Sequence, residues 1–403
     1  MKTFSILNSM KSGYFMLVVC QTLLLGASAC GHEEFRIEVP EVKKEWTKQE
    51  LIEQALSRMP QTRGAIVSVQ MVTTSRTLSI KCKASESMII KWENQTDTIS
   101  PNSDSVYVHT YSDNLPSHPI LITGSREALQ SLNVDSNRLI SLRIDASKLS
   151  SLYCQENYLD ELDLTKCPAL MTILADNNEL SSINIDSLTR LRVVRLSHNR
   201  LTQIDVSKNK FIYALCVDDN QLTDIDLTKN PDLLLLYIGK NSITNLNLSS
   251  NYRLQNISLN HLPLETYNGS PVNTENFNKF NIHRLSQLDI AYTPFTSLDL
   301  SQKSVRELDI SGTAITHLNL SRSSIETFYA TRSKLAELTY STTTFNNAQD
   351  IRIERTPFEN DCKNMEDFAK ALFGTNRQGK LYTYTDCLEA SQALAMTDWI
   401  INP

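Results

Sequence analysis

Five asparagines, Asn157, Asn178, Asn199, Asn220 and Asn241, stand 21 residues apart, each in a frame such as Leu236-Tyr237-Ile238-Gly239-Lys240-Asn241-Ser242-Ile243. A second series with the same period, Asp163, Asn184, Asp205, Asp226 and Asn247, sits between branched aliphatic residues, as in Ile225-Asp226-Leu227. Two ladders in phase require a chain built from stacked copies of one short unit, none of which can bury its apolar face alone. Strand side chains alternate, so Leu236 and Ile238 point inward and Tyr237 outward. The rest of each period must return the chain to the next coil, which makes the strands parallel. Each asparagine falls where the chain leaves the strand, where its amide both donates to and accepts from backbone groups of neighbouring coils. A buried group left unsatisfied there would cost ~1 to 3 kcal/mol.

Counting weaker copies, eleven such segments centre near Asn133, Tyr153, Leu174, Arg195, Cys216, Tyr237, Ser258, Asp289, Asp309, Tyr329 and Arg352, and Asn137 opens the ladder. Thr293, Thr313, Ser333 and Thr356 replace asparagine in the later copies, which predicts a weaker ladder there. The second series has no helical period and predicts short strands and turns on the convex side. Between Leu259 and Leu288 the spacing grows by about ten residues, through Tyr267-Asn268-Gly269-Ser270-Pro271 to His283, which reads as a protruding loop over 264–284.

The L-x-L-x-x-N-x-L frame is similar to the leucine-rich repeats of bacterial secreted and surface proteins, over roughly residues 129 to 358. The similarity implies a mainly β fold, a right-handed leucine-rich-repeat solenoid over 125–358, and a role in binding other macromolecules. Upstream, short runs at Ile66-Val69, Leu78-Cys82, Met88-Trp92, Val106-Val108 and Ile120-Ile122 predict a small β-sandwich over 64–124, with Trp92 in its core. Ile90-Lys91-Trp92, followed by a polar turn and His109-Thr110-Tyr111, resembles the polycystic-kidney-disease-type domain; Glu93-Asn94-Gln95 stands where that family has a Gly-Asp-Gly turn. Thr47 and Glu50 form a capping box for a helix within 30–63. Residues 359–403 read as a terminal α/β cap, with one helix capped by Asn364 and stopped by Gly374, and a second opened by Asp386 and Glu389. Strands are expected at Leu381-Thr383 and Trp399-Ile401. Cys362 and Cys387 each follow an aspartate at the start of a terminal helix, so stacking one coil on the next would pair them in a disulfide.

Residues 1–29 have the form of an export signal: Lys2 and Lys11 precede an apolar stretch from Tyr14 to Leu25, and small residues lead into Cys30. The segment resembles a bacterial lipoprotein signal, which implies acylation of Cys30, membrane contact through that anchor alone, and display on the outer membrane. Gly31-His32-Glu33-Glu34 resembles the short acidic signal that sends such proteins to the exterior face.

Composition narrows the chemistry. Ten glycines in 403 residues leave little material for phosphate-cradling loops. A net charge of -6 without a basic run removes nucleic acid as a partner. There is no H-E-x-x-H, G-x-S-x-G or G-x-x-x-x-G-K motif, so no cofactor, metal or catalytic set is expected. The outward positions place Tyr153, Arg195, Cys216, Tyr237, Tyr329 and Arg352 on the concave face, with His198, His261, Tyr292, Arg332 and Arg355 at its rim. Tyrosine and arginine supply broad contact at small entropic cost. Strands ~4.8 Å apart over the coils make a surface roughly 50 Å long, which suits a protein or a polysaccharide. The expectation is a monomeric, non-enzymatic binding or adhesion protein. A glycan-handling enzyme or accessory using Asp289 and Asp309 as acid and base, and a structural envelope spacer, are the alternatives. Asp176, Asp218, Asp219 and Glu156 read as a solvated acidic rim, with calcium ligation as the lesser reading.

Overall fold

The computed structural model describes residues 46–59, 62, 65–272, 285–300, 303–373, 379–385, 387–395 and 400–402. The leader 1–29, Cys30, the loop residues 273–284 with His283, Gly374, Asp386 and Trp399 lie outside these.

The period builds the sheet it demands. Ser151–Tyr153, Thr172–Leu174, Val193–Arg195, Ala214–Cys216, Leu235–Tyr237 and Asn256–Ser258 pair in parallel, in register at the repeat spacing. Gln287–Asp289, Glu307–Asp309, Thr327–Tyr329, Asp350–Arg352, Lys380–Tyr382 and Ile400–Asn402 continue the row. The fold is thus a mainly β leucine-rich-repeat solenoid. The convex side is mostly turns with a few two- and three-residue strands, such as Asn245–Leu246 and His317–Asn319. Asp163, Asn184, Asp205, Asp226 and Asn247 shape those turns: each side-chain oxygen accepts from the backbone N–H two residues on, at 2.8 to 3.0 Å. No described helix is long and apolar enough to cross a membrane.

The asparagines bond as their position requires. Asn199 Nδ2 donates to Ala175 O on the preceding coil at 3.0 Å and to Leu196 O and Ser197 O on its own. Its Oδ1 accepts from Leu180 N at 3.0 Å. Asn157, Asn178, Asn220 and Asn241 repeat the arrangement. Asn137 differs, bonding Ser79 N and O through both ends of its amide and so tying the first coil to the sandwich. Thr293, Thr313 and Thr356 donate only to the carbonyl three residues back, within their own coil. The structure adds a third ladder to the two in the sequence. Asn209, Asn230 and Asn251 are buried 21 residues apart on the return side, and each bridges two carbonyls of the coil before it. Its signal is visible in the repeated Lys208-Asn209 and Lys229-Asn230.

Upstream, β1 (Val67–Thr73), β2 (Thr77–Ala84), β3 (Met88–Lys91), β4 (Thr96–Ile99), β5 (Ser105–Thr110) and β6 (His118–Thr123) form the sandwich. Its limits differ from the expected 64–124. β7 (Leu129–Asn133) pairs antiparallel with β2, which makes β5 and β2 the first strands of the solenoid's own sheet. β8 (Leu139–Ile144) crosses back to pair with β1 in the facing sheet. The physical reason is the solenoid's open edge, which β2 covers by donating a strand. One apolar core runs without a break from Val69 to Leu394, so neither 124/125 nor 358/359 is a seam.

Helix α1 (Lys48–Ser57) starts in the capping box of Thr47 and Glu50 and lays Ala55 on Val72 and Ile140. At the far end α2 (Pro357–Asn360), α3 (Cys362–Phe373) and α4 (Leu388–Ala395) pack on one another, and Phe368 of α3 meets Tyr340 and Phe345 of the preceding coil edge to face. Helix α3 begins three residues before the expected start, because Asp361, not Asn364, supplies the capping oxygen: Asp361 Oδ1 accepts from Asn364 N at 3.0 Å. Cys362 and Cys387 are disulfide-bonded with their Cα atoms 5.2 Å apart. The first part of the expected protruding loop is a hairpin laid on the convex face instead. Asn268 and Gly269 both have positive φ, as a two-residue turn requires, and they return Thr266–Tyr267 onto Ser270–Pro271. Tyr267 is buried against Phe295.

Candidate ligand-binding face

Each coil leaves its strand through one residue in the left-handed region just before the ladder position. His198, Tyr292 and Arg332 hold φ of 55°, 56° and 59° there. A branched or bulky side chain costs roughly 1 to 2 kcal/mol in that conformation, and it projects toward the rim. Gly312 is the exception, because a Cβ there would lie 2.4 Å from Cδ1 of Tyr292. The Tyr292 ring lies over that glycine and stacks on His261 with ring centroids 4.6 Å apart. His198 Nδ1 reaches Asp219 Oδ2 at 2.9 Å. Arg332 is exposed.

The concave residues do not form one site. Tyr153 is half-buried toward the sandwich end. Arg195 is drawn aside to Asp176, with Nε 2.9 Å from Oδ2. Asp176 also accepts from Ser197 N and Gln155 Nε2 and is only 2 % exposed, so it is a buried hydrogen-bonding group and not part of a solvated rim. Burial raises its pKa against the opposing pull of Arg195. Cys216, expected to face outward, is 5 % exposed; its short side chain is covered beside longer neighbours, and burial pushes the thiol up to about 12. Tyr237 reaches along the sheet to donate from its hydroxyl to Gln287 Oε1 at 2.8 Å.

Asp289 and Asp309 are register partners on adjacent strands. Asp289 already accepts from Ser258 Oγ, Asn260 Nδ2 and Ala291 N. Burial, reinforced by the charge of Asp289, raises the pKa of Asp309, while hydrogen bonds from Ser311 oppose the shift.

The most organised cluster lies on the last coils. The Arg352 guanidinium sits 4.9 Å from the Tyr329 ring centroid and 4.6 Å from that of Tyr382. Arg352 Nε and Nη2 donate to the two oxygens of Asp350 at 3.2 and 3.1 Å, and Tyr329 donates from its hydroxyl to Asp350 Oδ2 at 3.1 Å. Hydrogen bonding to Asp350 raises the pKa of Arg352 further and holds its charge. Tyr382 belongs to a strand of the terminal cap, and Leu381-Tyr382-Thr383 repeats the alternation of the coils, which is the signal that places it on the concave face. Glu359, buried, accepts from Thr383 Oγ1 and Tyr384 N, the two residues that follow Tyr382.

A second cluster joins Trp92, Glu93, His109 and Tyr111, which the sequence places in one domain, to Asp113 and His118, which no spacing links to them. At one end of the sandwich four rings meet in a row: Trp92 stacks on His109, His109 meets Tyr111 edge to face, and Tyr111 stacks on His118. Trp92 is a core residue, 1 % exposed, with Nε1 donating to Asp97 Oδ2 at 2.6 Å. Glu93 and Asp113 meet His118 at the end of that row.

No family model and no curated protein matches this chain. Among solved structures it is similar to the functional domain of InlJ from Listeria monocytogenes, at 20 % identity over 64 % of this chain with a TM-score of 0.42. The chain spans 65 % of that domain. It is also similar to the Listeria monocytogenes internalin InlF, at 16 % identity over 67 % of this chain and 86 % of that one, TM-score 0.47. A leucine-rich-repeat protein of Leptospira interrogans aligns at 16 % identity over 63 % of this chain and 72 % of its own, TM-score 0.46.

Proposed function

We propose that this protein is a non-enzymatic binding module that grips a protein or glycan on the concave sheet, centred on Tyr329, Arg352 and Tyr382. The observation that carries the reading is the clamped guanidinium. Arg352 is held between two rings and by both oxygens of Asp350, yet its side chain remains 43 % exposed. An arginine ordered before binding loses little further entropy when a partner docks, which is the property of an interface anchor. The committed donors around Asp289 favour a structural role for that carboxylate over acid-base work. In this reading a leader ending before Cys30 exports the chain, acylated Cys30 tethers it to the outer membrane facing outward, and the sandwich is a domain of the polycystic-kidney-disease type that spaces the solenoid from the surface. Glycan arrays and surface-proteome pull-downs with the wild-type chain identify the partner. Arg352→Ala and Tyr382→Ala are each expected to weaken it at least tenfold, the order of a 1.4 kcal/mol loss at a binding hot spot. Equal binding by both variants would move the site off this cluster.

A further inference from the structure

His118 opens β6 with its imidazole almost wholly enclosed, 1 % exposed, and flat against the Tyr111 ring at 3.7 Å between centroids. Its two nitrogens have different surroundings. Nδ1 lies 3.1 Å from Glu93 Oε2, and the other oxygen of Glu93 accepts from Arg58 Nε at 2.7 Å. Nε2 is buried and has no hydrogen-bond partner among the described residues. It points toward Asp113 Oδ1, 3.6 Å away, beyond hydrogen-bonding reach. One ligand atom from each of Glu93, Asp113 and His118 lies within 4.8 Å of the other two.

An imidazole that donates from Nδ1 to a carboxylate carries its lone pair on Nε2. That pairing is the way a metal-binding histidine is oriented and made more basic. Two donors bound to one zinc-type ion at ~2.0 to 2.1 Å in tetrahedral geometry stand ~3.4 Å apart, close to the separation of Nε2 and the Asp113 oxygen. We propose that His118 Nε2 and Asp113 are the protein ligands of a divalent metal site of zinc type, with Glu93 as the carboxylate that orients the imidazole. The remaining positions are open to water, because the Asp113 side chain is 39 % exposed on the outer side. Imidazole with carboxylate selects a borderline ion such as Zn²⁺ over calcium, which takes oxygen ligands. Such an ion ties the loop between β5 and β6 to the start of β6, and through Glu93 and Arg58 to the end of α1.

The test is equilibrium dialysis of the untagged full-length chain against Zn²⁺ alone, with unfolding temperature as a second readout. Wild type is expected to hold one zinc per chain and to melt higher with zinc than without. Asp113→Asn, whose partly exposed side chain makes it the safer variant for folding, is expected to lose both effects while keeping the wild-type circular dichroism. Glu93→Gln should bind about 10- to 100-fold more weakly. His198 beside Asp219 and His317, whose Nε2 lies 3.3 Å from Glu337 Oε2, are exposed histidine–carboxylate pairs, and removing them with His198→Ala and His317→Ala should leave the stoichiometry at one. The proposal is overturned if wild type takes up no zinc, if folded Asp113→Asn binds as wild type does, or if the His198→Ala, His317→Ala chain loses the ion.

Discussion

Replacing Asn220 by alanine isolates what one rung of the ladder contributes. Its Nδ2 donates to Leu196 O, Val217 O and Asp218 O, and its Oδ1 accepts from Leu201 N at 2.9 Å. The carbonyls keep other partners after the change: Asn199 still donates to Leu196 O, Asn241 to Val217 O, and the His198 N–H to Asp218 O. Leu201 N–H loses the side-chain oxygen that accepts from it. The expected cost is ~1 to 3 kcal/mol for the orphaned donor, with a smaller addition for the lost amide bonds, so about 2 to 3 kcal/mol in all. Thr313→Ala removes one hydroxyl bond to Ile310 O, a carbonyl that Thr313 N also reaches, and should cost about 1 kcal/mol. Solenoids need not unfold in one step, so the local readout is decisive. Hydrogen exchange by mass spectrometry should show faster exchange at Leu201 in Asn220→Ala, alongside a lower urea midpoint than Thr313→Ala. If the two variants have the same midpoint and Leu201 stays protected, the asparagines do not bind the coils together as argued.

The disulfide closes a separation of 25 residues, which corresponds to about 3.5 kcal/mol on the chain-entropy estimate. Cys362→Ser with Cys387→Ser should therefore loosen α3 and α4 first, seen as protease cleavage near the terminus, and non-reducing peptide mapping that finds both thiols free in the wild type would dispose of the bond. Asp309 offers a pH test. Its folded pKa is raised, so its contribution is favourable below the unfolded value of about 3.9 and is lost as pH rises through the folded value. Asp309→Asn should accordingly be more stable than wild type at pH 7, with the difference vanishing below about pH 4. An equal or lower midpoint at pH 7 would mean that Asp309 is not strained by burial.

Much of this molecule is written locally. The alternation around Leu236-Tyr237-Ile238 and the 21-residue return determine a parallel coil before any contact is considered, because both are properties of backbone geometry. The position of Asn199 in that coil dictates its bonds for the same reason. The third ladder at Asn209 and the Asn268-Gly269 hairpin were equally local and could have been read from spacing and turn chemistry. Other outcomes needed the folded chain. Whether an outward residue is free depends on which side chains flank it across the sheet: Cys216 disappears beside longer neighbours, Arg195 turns to Asp176, and Arg352 is caught between rings from the coils on either side. The solenoid sheet begins inside the sandwich because an edge strand recruits whatever partner the chain can bring to it, and the pattern within β2 does not name that partner. Glu93, Asp113 and His118 carry no mutual spacing rule; their meeting at one end of the sandwich follows from how two turns pack, which is a tertiary fact.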